Sequence, residues 1–289
     1  MKINQSMELG ELYRELRIAR GLKIKDIACD NLSKSQLSRF ENGQTMLAAD
    51  KLLLAISGIH MSFSEFGYAL SHYEESDFFK IGHKLSELYV RQDIEGLKKL
   101  LEINDEYEVF DVYNRLNKLV IKVSIHSLDA DYIISDDDKN FLTTYLYSIE
   151  EWTEYELYIF GNTMSILSSD DLIFLGKAFV ERDKLYIYLP SHKKNAELVF
   201  LNLILLLIER KKLYQAIYFV ENLEKLLNYQ DMFATTFLKF FKKIIAYLQE
   251  KSVDISELER YVDIVGEINP TIATILKSNL NQLLSNCNH

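Results

Sequence analysis

The side chains best suited to specific recognition lie close together near the start of the chain. Lys34, Ser35, Gln36 and Arg39 fall within two turns of a helix, and the polar run extends from Ser33 through Asn42 to Gln44 and Thr45. Arginine can fork onto guanine O6 and N7, and glutamine onto adenine N6 and N7. Serine and lysine serve phosphate oxygens. This is the chemistry of reading a double helix. Reaction chemistry has no comparable cluster. The 6 histidines stand at positions 60, 72, 83, 126, 192 and 289, with no i,i+4 pair and no cysteine at ligand spacing, so no metal site is expected. The 2 cysteines, Cys29 and Cys287, make no disulfide framework, and Cys29 reads as a small buried residue. Asp136, Asp137 and Asp138 read as a helix N-terminus favoured by the helix dipole rather than as a cation site. There is no glycine-rich phosphate loop and no set of nucleophile, base and orienter, so neither an enzyme nor a cofactor is expected.

The polar run needs a scaffold, and the flanking sequence supplies one. Leu9, Leu12, Leu16 and Ala19 recur at helical spacing from Met7 to Ala19, and Gly21 stops that helix. A short helix follows from Ile24 to about Ala28, with Ile27 and Ala28 inward and Asn31-Leu32 as a turn. Ser33 with Gln36 forms a capping box, so a third helix starts at Ser33 and ends at Asn42-Gly43. At 100° per residue, Leu37, Phe40 and Glu41 share one side of it. Ser35, Arg39 and Asn42 share the other. Glu41 on the packed side needs a partner, and Arg17 on the first helix is the expected one. Without further context, a capped helix with one polar face reads as an ordinary surface helix. Two more helices, near 48–57 and 62–70, complete the unit.

Beyond residue 76 the helices lengthen and pair. They are expected near 77–91 and 93–103, 106–126 and 137–151, then at 153–167, 170–188, 193–210, 213–228, 232–250, 255–266 and 270–285. With only 2 Pro and 10 Gly in 289 residues, helices are rarely interrupted. The fold class expected is all-α: a five-helix DNA-binding domain at 1–70, a linker at 71–76, and a right-handed α-solenoid of tetratricopeptide-like hairpins at 77–289. Lys212 to Ala216 and Arg91 to Gly96 resemble the turn into such a hairpin, although no strict repeat period is present.

Charge divides the same way. Residues 1–70 carry nine basic and eight acidic side chains, whereas the remainder carries 24 basic and 35 acidic ones. The net charge of -10 therefore lies outside the DNA-reading part and should repel DNA from the rest of the chain. The longest apolar run, Leu198 to Ile208, is interrupted by Asn202 and is shorter than the roughly 20 residues needed to cross a bilayer. No secretory signal precedes the first helix, so a cytoplasmic location without membrane contact is expected.

The segments Leu16-Arg17-x-x-Arg20-Gly21, Asp26-Ile27-Ala28 and Ser35-Gln36-Leu37-Ser38-Arg39-Phe40-Glu41-Asn42-Gly43 resemble the XRE-type helix-turn-helix family. That resemblance implies DNA contacts from Lys34, Ser35, Gln36 and Arg39, and phosphate contacts from the loop Asn42 to Thr45. The variant from Leu32 to Gly43, together with Glu151-Trp152-Thr-Glu-Tyr155-Glu156-Leu-Tyr-Ile-Phe160-Gly161-Asn162, is similar to the Rgg/MutR regulators of Gram-positive bacteria, within the RRNPP superfamily. Membership would imply a homodimeric transcription regulator of the quorum-sensing type, controlled by a short imported signalling peptide. RNA polymerase is a further candidate partner.

A helical groove can clamp a peptide backbone with asparagines and bury its side chains on aromatics. Asn162 and Asn202 sit in strongly apolar helices, and Tyr155, Tyr158 and Phe240 could line such a groove. The same asparagines could instead bond neighbouring helices, with the aromatics as core. Two other function classes stay open: a helical-repeat adaptor whose groove holds a protein partner, and a DNA regulator with no ligand.

Overall fold

The structure is a computed structural model, and it describes residues 5–74, 77–103, 112–182, 189–249 and 254–285. Among these residues every regular element is helical, with one isolated bridge pairing Cys29 and Leu32. The all-α expectation holds. Residues 75–76 of the expected linker, 106–111 of one expected helix and 183–188 of another lie outside the described residues. The chain forms two compact units, Met1–Glu87 and Leu88–His289.

In the first unit, α1 (Gln5–Ala19), α2 (Ile24–Ile27), α3 (Lys34–Glu41), α4 (Ala49–Gly58) and α5 (Phe63–Leu70) enclose one core; α6 (Asp77–Val90) follows, and from Leu88 onward it belongs to the second unit. Tyr13, Leu32, Leu37, Phe40, Ile56, Ile59 and Phe66 are its buried centre. The Tyr13 hydroxyl donates to the Ala55 carbonyl at 3.1 Å, and its ring lies 5.7 Å from that of Phe40. A buried hydroxyl without such an acceptor would be costly. The α2–α3 turn is closed by reciprocal backbone hydrogen bonds between Cys29 and Leu32, each 3.0 Å. Two expectations fail here. Ala19 is exposed, because α1 turns its face by way of Tyr13 and Arg17. Cys29 is also exposed, because the turn pairs its backbone and leaves its side chain outside the core.

The second unit contains α7 (Ile94–Ile103), α8 (Val112–Leu128), α9 (Asp136–Ser148), α10 (Glu154–Thr163), a one-turn 3-10 helix (Met164–Ile166), α11 (Ser169–Arg182), α12 (Pro190–Glu209), α13 (Leu213–Leu226), α14 (Met232–Leu248), α15 (Ile255–Ile268) and α16 (Pro270–Ser285). Chain neighbours pack as hairpins, notably α7 with α8, α12 with α13 and α15 with α16. Second neighbours also pack: α8 on α10, α10 on α12 and α12 on α14. Alternate helices therefore form a continuous layer, as stacked hairpins require. The central helix α12 buries nearly its whole length, with Val199, Leu203, Ile204 and Leu207 inside. Its exposed stripe is narrow and includes Lys194, Leu198 and Asn202. No described helix is long and apolar enough to cross a membrane.

Candidate functional site

Two surfaces hold the residues singled out from sequence. The first is α3. Its start is fixed by the capping box: the Ser33 hydroxyl accepts from the Gln36 amide N–H at 3.2 Å, and the Gln36 side-chain oxygen accepts from the Ser33 amide N–H at 3.0 Å. Its end is fixed by Gly43, whose φ of 67° lies in the left-handed region that favours glycine. Leu37 and Phe40 are fully buried, and Glu41 is buried beside them.

Arg17 and Glu41 form the expected pair. Arg17 Nε donates to one carboxylate oxygen and its Nη2 to the other, each at 2.6 Å, while Nη1 donates to the Leu22 carbonyl at 2.6 Å. Hydrogen bonding to Glu41 raises the Arg17 pKa despite its burial. The fork ties α1, the turn that leads into α2 and the end of α3 together. It is scaffold rather than reading surface.

The opposite side of α3 exposes Lys34, Ser35 and Arg39, with Asn42, Gln44 and Thr45 exposed beyond it. Arg39 Nε donates weakly to the Ser35 carbonyl at 3.4 Å. Among the described residues its two terminal nitrogens have no partner, so the guanidinium keeps its fork for a ligand. Gln36 differs. Its oxygen is committed to the cap, so forking onto adenine would require release of Ser33. Ser33 itself accepts the Gln36 N–H and retains only its hydroxyl hydrogen for a phosphate. Asn42 spends one amide hydrogen on the Ser38 carbonyl at 2.8 Å.

The second surface runs over α8, α10 and α12. Thr153 caps α10 through a box with Glu156, whose other oxygen accepts from the Tyr145 hydroxyl at 2.7 Å. Trp152 just before the cap is fully buried, 5.1 Å from the Phe160 ring. Half of the Trp152–Asn162 motif is thus structural: it starts the helix and anchors it. The other half of α10 is turned outward. Tyr155, Tyr158 and Asn162 follow one another at helical spacing on the partly exposed side.

Tyr155 donates to either the Tyr113 carbonyl or Asn117 Oδ1, both 3.3 Å away, and its ring stands edge-on to Tyr113 at 5.2 Å. Burial pushes the Tyr158 phenol up to about 12, so it stays a neutral donor at physiological pH. Asn162 Nδ2 donates to the Tyr158 carbonyl of its own helix at 2.7 Å. Asn202 Nδ2 reaches the Gly161 carbonyl of α10 at 3.4 Å, a long bond. The two asparagines are exposed on adjacent helices of one layer, with an oxygen on each uncommitted in these bonds.

Phe240 does not join them. It is fully buried, its ring 5.9 Å from Phe241, because the wide apolar stripe of α14 faces the interior. Phe233, 43% exposed on the first turn of α14, is the aromatic that reaches the surface. Tyr113 and Asn117 on α8 were not foreseen. Tyr113 adjoins the undescribed residues 104–111, and no local spacing marks its approach to α10. Among the described residues no group of His, Cys, Asp and Glu is placed to hold a metal ion.

Comparisons with known proteins agree with this architecture. A crystal structure of the SHP pheromone receptor Rgg2 from Streptococcus dysgalactiae superposes with a TM-score of 0.77 at 23% identity, covering 95% of this chain and 99% of that one. A crystal structure of a protein from Listeria monocytogenes EGD-e gives 0.81 at 21% identity, covering 98% and 99%. The PrgX/cCF10 complex gives 0.71 at 15% identity, covering 97% and 93%. At these identities the likeness is one of fold. The sequence profile described as "HTH-type transcriptional regulator Rgg, C-terminal domain" matches residues 97–273, more than half of the chain. The chain belongs to the Rgg family of helix-turn-helix transcriptional regulators.

Proposed function

We propose that this regulator binds operator DNA through α3 and that a short signalling peptide, held on the α8–α10–α12 face, controls that binding or the resulting promoter activation. The carrying observation is the division of α3. One side is locked by the buried Arg17–Glu41 fork, and the other leaves Lys34, Ser35 and the Arg39 guanidinium exposed. Arg39 takes a guanine edge, while Lys34, Ser33, Ser35, Asn42, Gln44 and Thr45 position the helix on phosphates. Gln36 contributes to the cap and reads a base only if the cap opens. Residues 1–70 act as the DNA-binding domain, 71–76 as the linker and 77–289 as the sensor. A homodimer would read two half-sites. The working compartment is the cytoplasm, and RNA polymerase is the partner of promoter activation.

A peptide ligand is supported by the family and by the named cargo of two structural relatives, a pheromone receptor and a protein solved with cCF10. On this chain Asn162 and Asn202 would clamp the peptide backbone, with Tyr155 and Tyr158 beside them. The test is genome-wide mapping of bound DNA with and without spent culture medium, for the native protein and for Arg39→Ala. We expect discrete sites whose occupancy responds to the medium and is lost in the variant. Unchanged sites in Arg39→Ala would remove Arg39 from the reading role.

One observation favours a second reading, a regulator without a peptide. Tyr155 and Asn162 are already engaged by groups of the protein itself. Occupancy indifferent to any medium or peptide extract would favour it.

A further inference from the structure

A cavity of about 1070 Å³ opens between the first turns of α12 and α14 and the last turn of α13. We propose that it takes the C-terminal residue of the bound peptide, with the free carboxylate held by Lys194 and Lys225 and the last side chain against Leu198, Met232 and Phe233. This rests on the peptide reading above and adds to it the end of the ligand and the chemistry of that end.

Charge selects the ligand. Lys193 bridges the two carboxylates of the lining, pairing with Asp231 and lying 3.5 Å from Glu197. That group is internally bonded and nearly buried, with side chains 11% to 17% exposed. What remains is positive. Lys194 and Lys225 are exposed, and neither has an ion-pair partner among the described residues. Two uncompensated lysines at one cavity stand out in a chain of net charge -10. One helix end reinforces them. The N-terminus of α12, which starts at Pro190 after Leu189, has no capping side chain and borders the cavity, whereas that of α14 already carries the Asp231 carboxylate paired with Lys193. A helix N-terminus and an ammonium group both favour an anion.

Shape and greasiness supply the rest. Met232 is 62% exposed, Phe233 43% and Leu198 40%, an amount of uncovered apolar surface that a closed site would bury. Lys194, Leu198 and Asn202 lie at i, i+4 and i+8 on one stripe of α12, a rise of about 12 Å. A peptide clamped at Asn202 therefore needs only a few extended residues, at roughly 3.3 Å each, to place its terminus beside Lys194. Capture of a terminal carboxylate together with one apolar side chain is a recurrent way to fix a peptide's register and direction.

The experiment presents the full-length protein with a pool of short synthetic peptides, apolar throughout and ending in Leu, Ile or Val. The pool is made as free acids and as carboxamides, each with free or acetylated amino ends. Retained peptides are quantified by mass spectrometry. Free acids should be retained about tenfold better than the matching amides. Lys194→Gln with Lys225→Gln should abolish that preference while amide retention is unchanged. Both lysines are exposed and unpaired, and a far-UV spectrum confirms the fold. Equal retention of acids and amides, a preference that survives the double variant, or selection for free amino ends alone overturns the cavity assignment while leaving the peptide reading intact. Retention of no peptide in any form overturns both.

Discussion

At the scale of single residues, the Arg17–Glu41 fork has the largest predicted effect. Both ends are buried, and each removes the other's desolvation problem. Glu41→Ala leaves a buried guanidinium with only the Leu22 carbonyl, at a cost of about 3–5 kcal/mol. Replacing both partners together with apolar residues should recover most of that loss, which urea unfolding of the two variants measures. Asp138 carries a pH signature. Burial alone would raise its pKa, but hydrogen bonds from Lys122 and Arg115 outweigh burial and hold it below the usual carboxylate range. A lowered folded pKa contributes stability that is present above about pH 4 and is lost as pH falls through the folded value. Asp138→Asn should therefore flatten the acid limb of stability against pH. A full acid limb in that variant would assign the effect to other carboxylates.

At the scale of elements, the placement of α3 depends on how closely α1 approaches it. A Cβ on Gly10 would stand 1.9 Å from the Phe40 carbonyl oxygen, and the obstacle is backbone rather than a flexible side chain. Gly10→Ala must push α1 from α3, at a cost of about 3 kcal/mol. It should weaken operator binding without touching a DNA-facing residue. Ser33→Ala removes only the cap and should cost about 1 kcal/mol. A thermal denaturation series of the two variants should preserve that order. The contrast separates what was readable in the chain from what was not. The capping box, the Asn42-Gly43 stop and the inward side of Glu41 are local patterns, and helical projection finds them. Gly10 reads as a mild defect in a helix, and Tyr13 as one more aromatic. Their importance lies in contacts with Phe40 and Ala55, about 30 to 40 positions away.

At the scale of the whole molecule, charge and coupling decide behaviour. The acidic surplus beyond residue 70 offers DNA nothing, so the salt dependence of operator binding should reflect only the few cations of the first unit. Lys34→Ala is expected to lower affinity uniformly across sequences and reduce the slope of log affinity against log salt by about 1 per protomer. If a peptide alters operator affinity, operator DNA must alter peptide affinity by the same factor, because the two are linked thermodynamically. Titrating peptide with and without operator measures that factor directly. A peptide that binds equally in both cases would not be the controlling ligand.

The helical class, the limits of α3, the Arg17–Glu41 pairing and the family to which the chain belongs are all legible in the amino-acid sequence. The class and the limits of α3 follow from periodicity and caps within short stretches, where neighbours in sequence are neighbours in space; the Arg17–Glu41 pairing, 24 positions apart, follows from the need of a charge on a packed face for a partner, and the family from two motifs. Which residues of the second unit face outward depends instead on how its helices pack. Phe240 and Phe233 share one amphipathic helix, yet one is core and the other surface, because the packing of α12, α13 and α15 around α14 sets its width of burial. The meeting of Lys194, Lys225 and Met232 at one cavity was illegible for the same reason. They lie on three helices, and no pattern within one helix records where another ends.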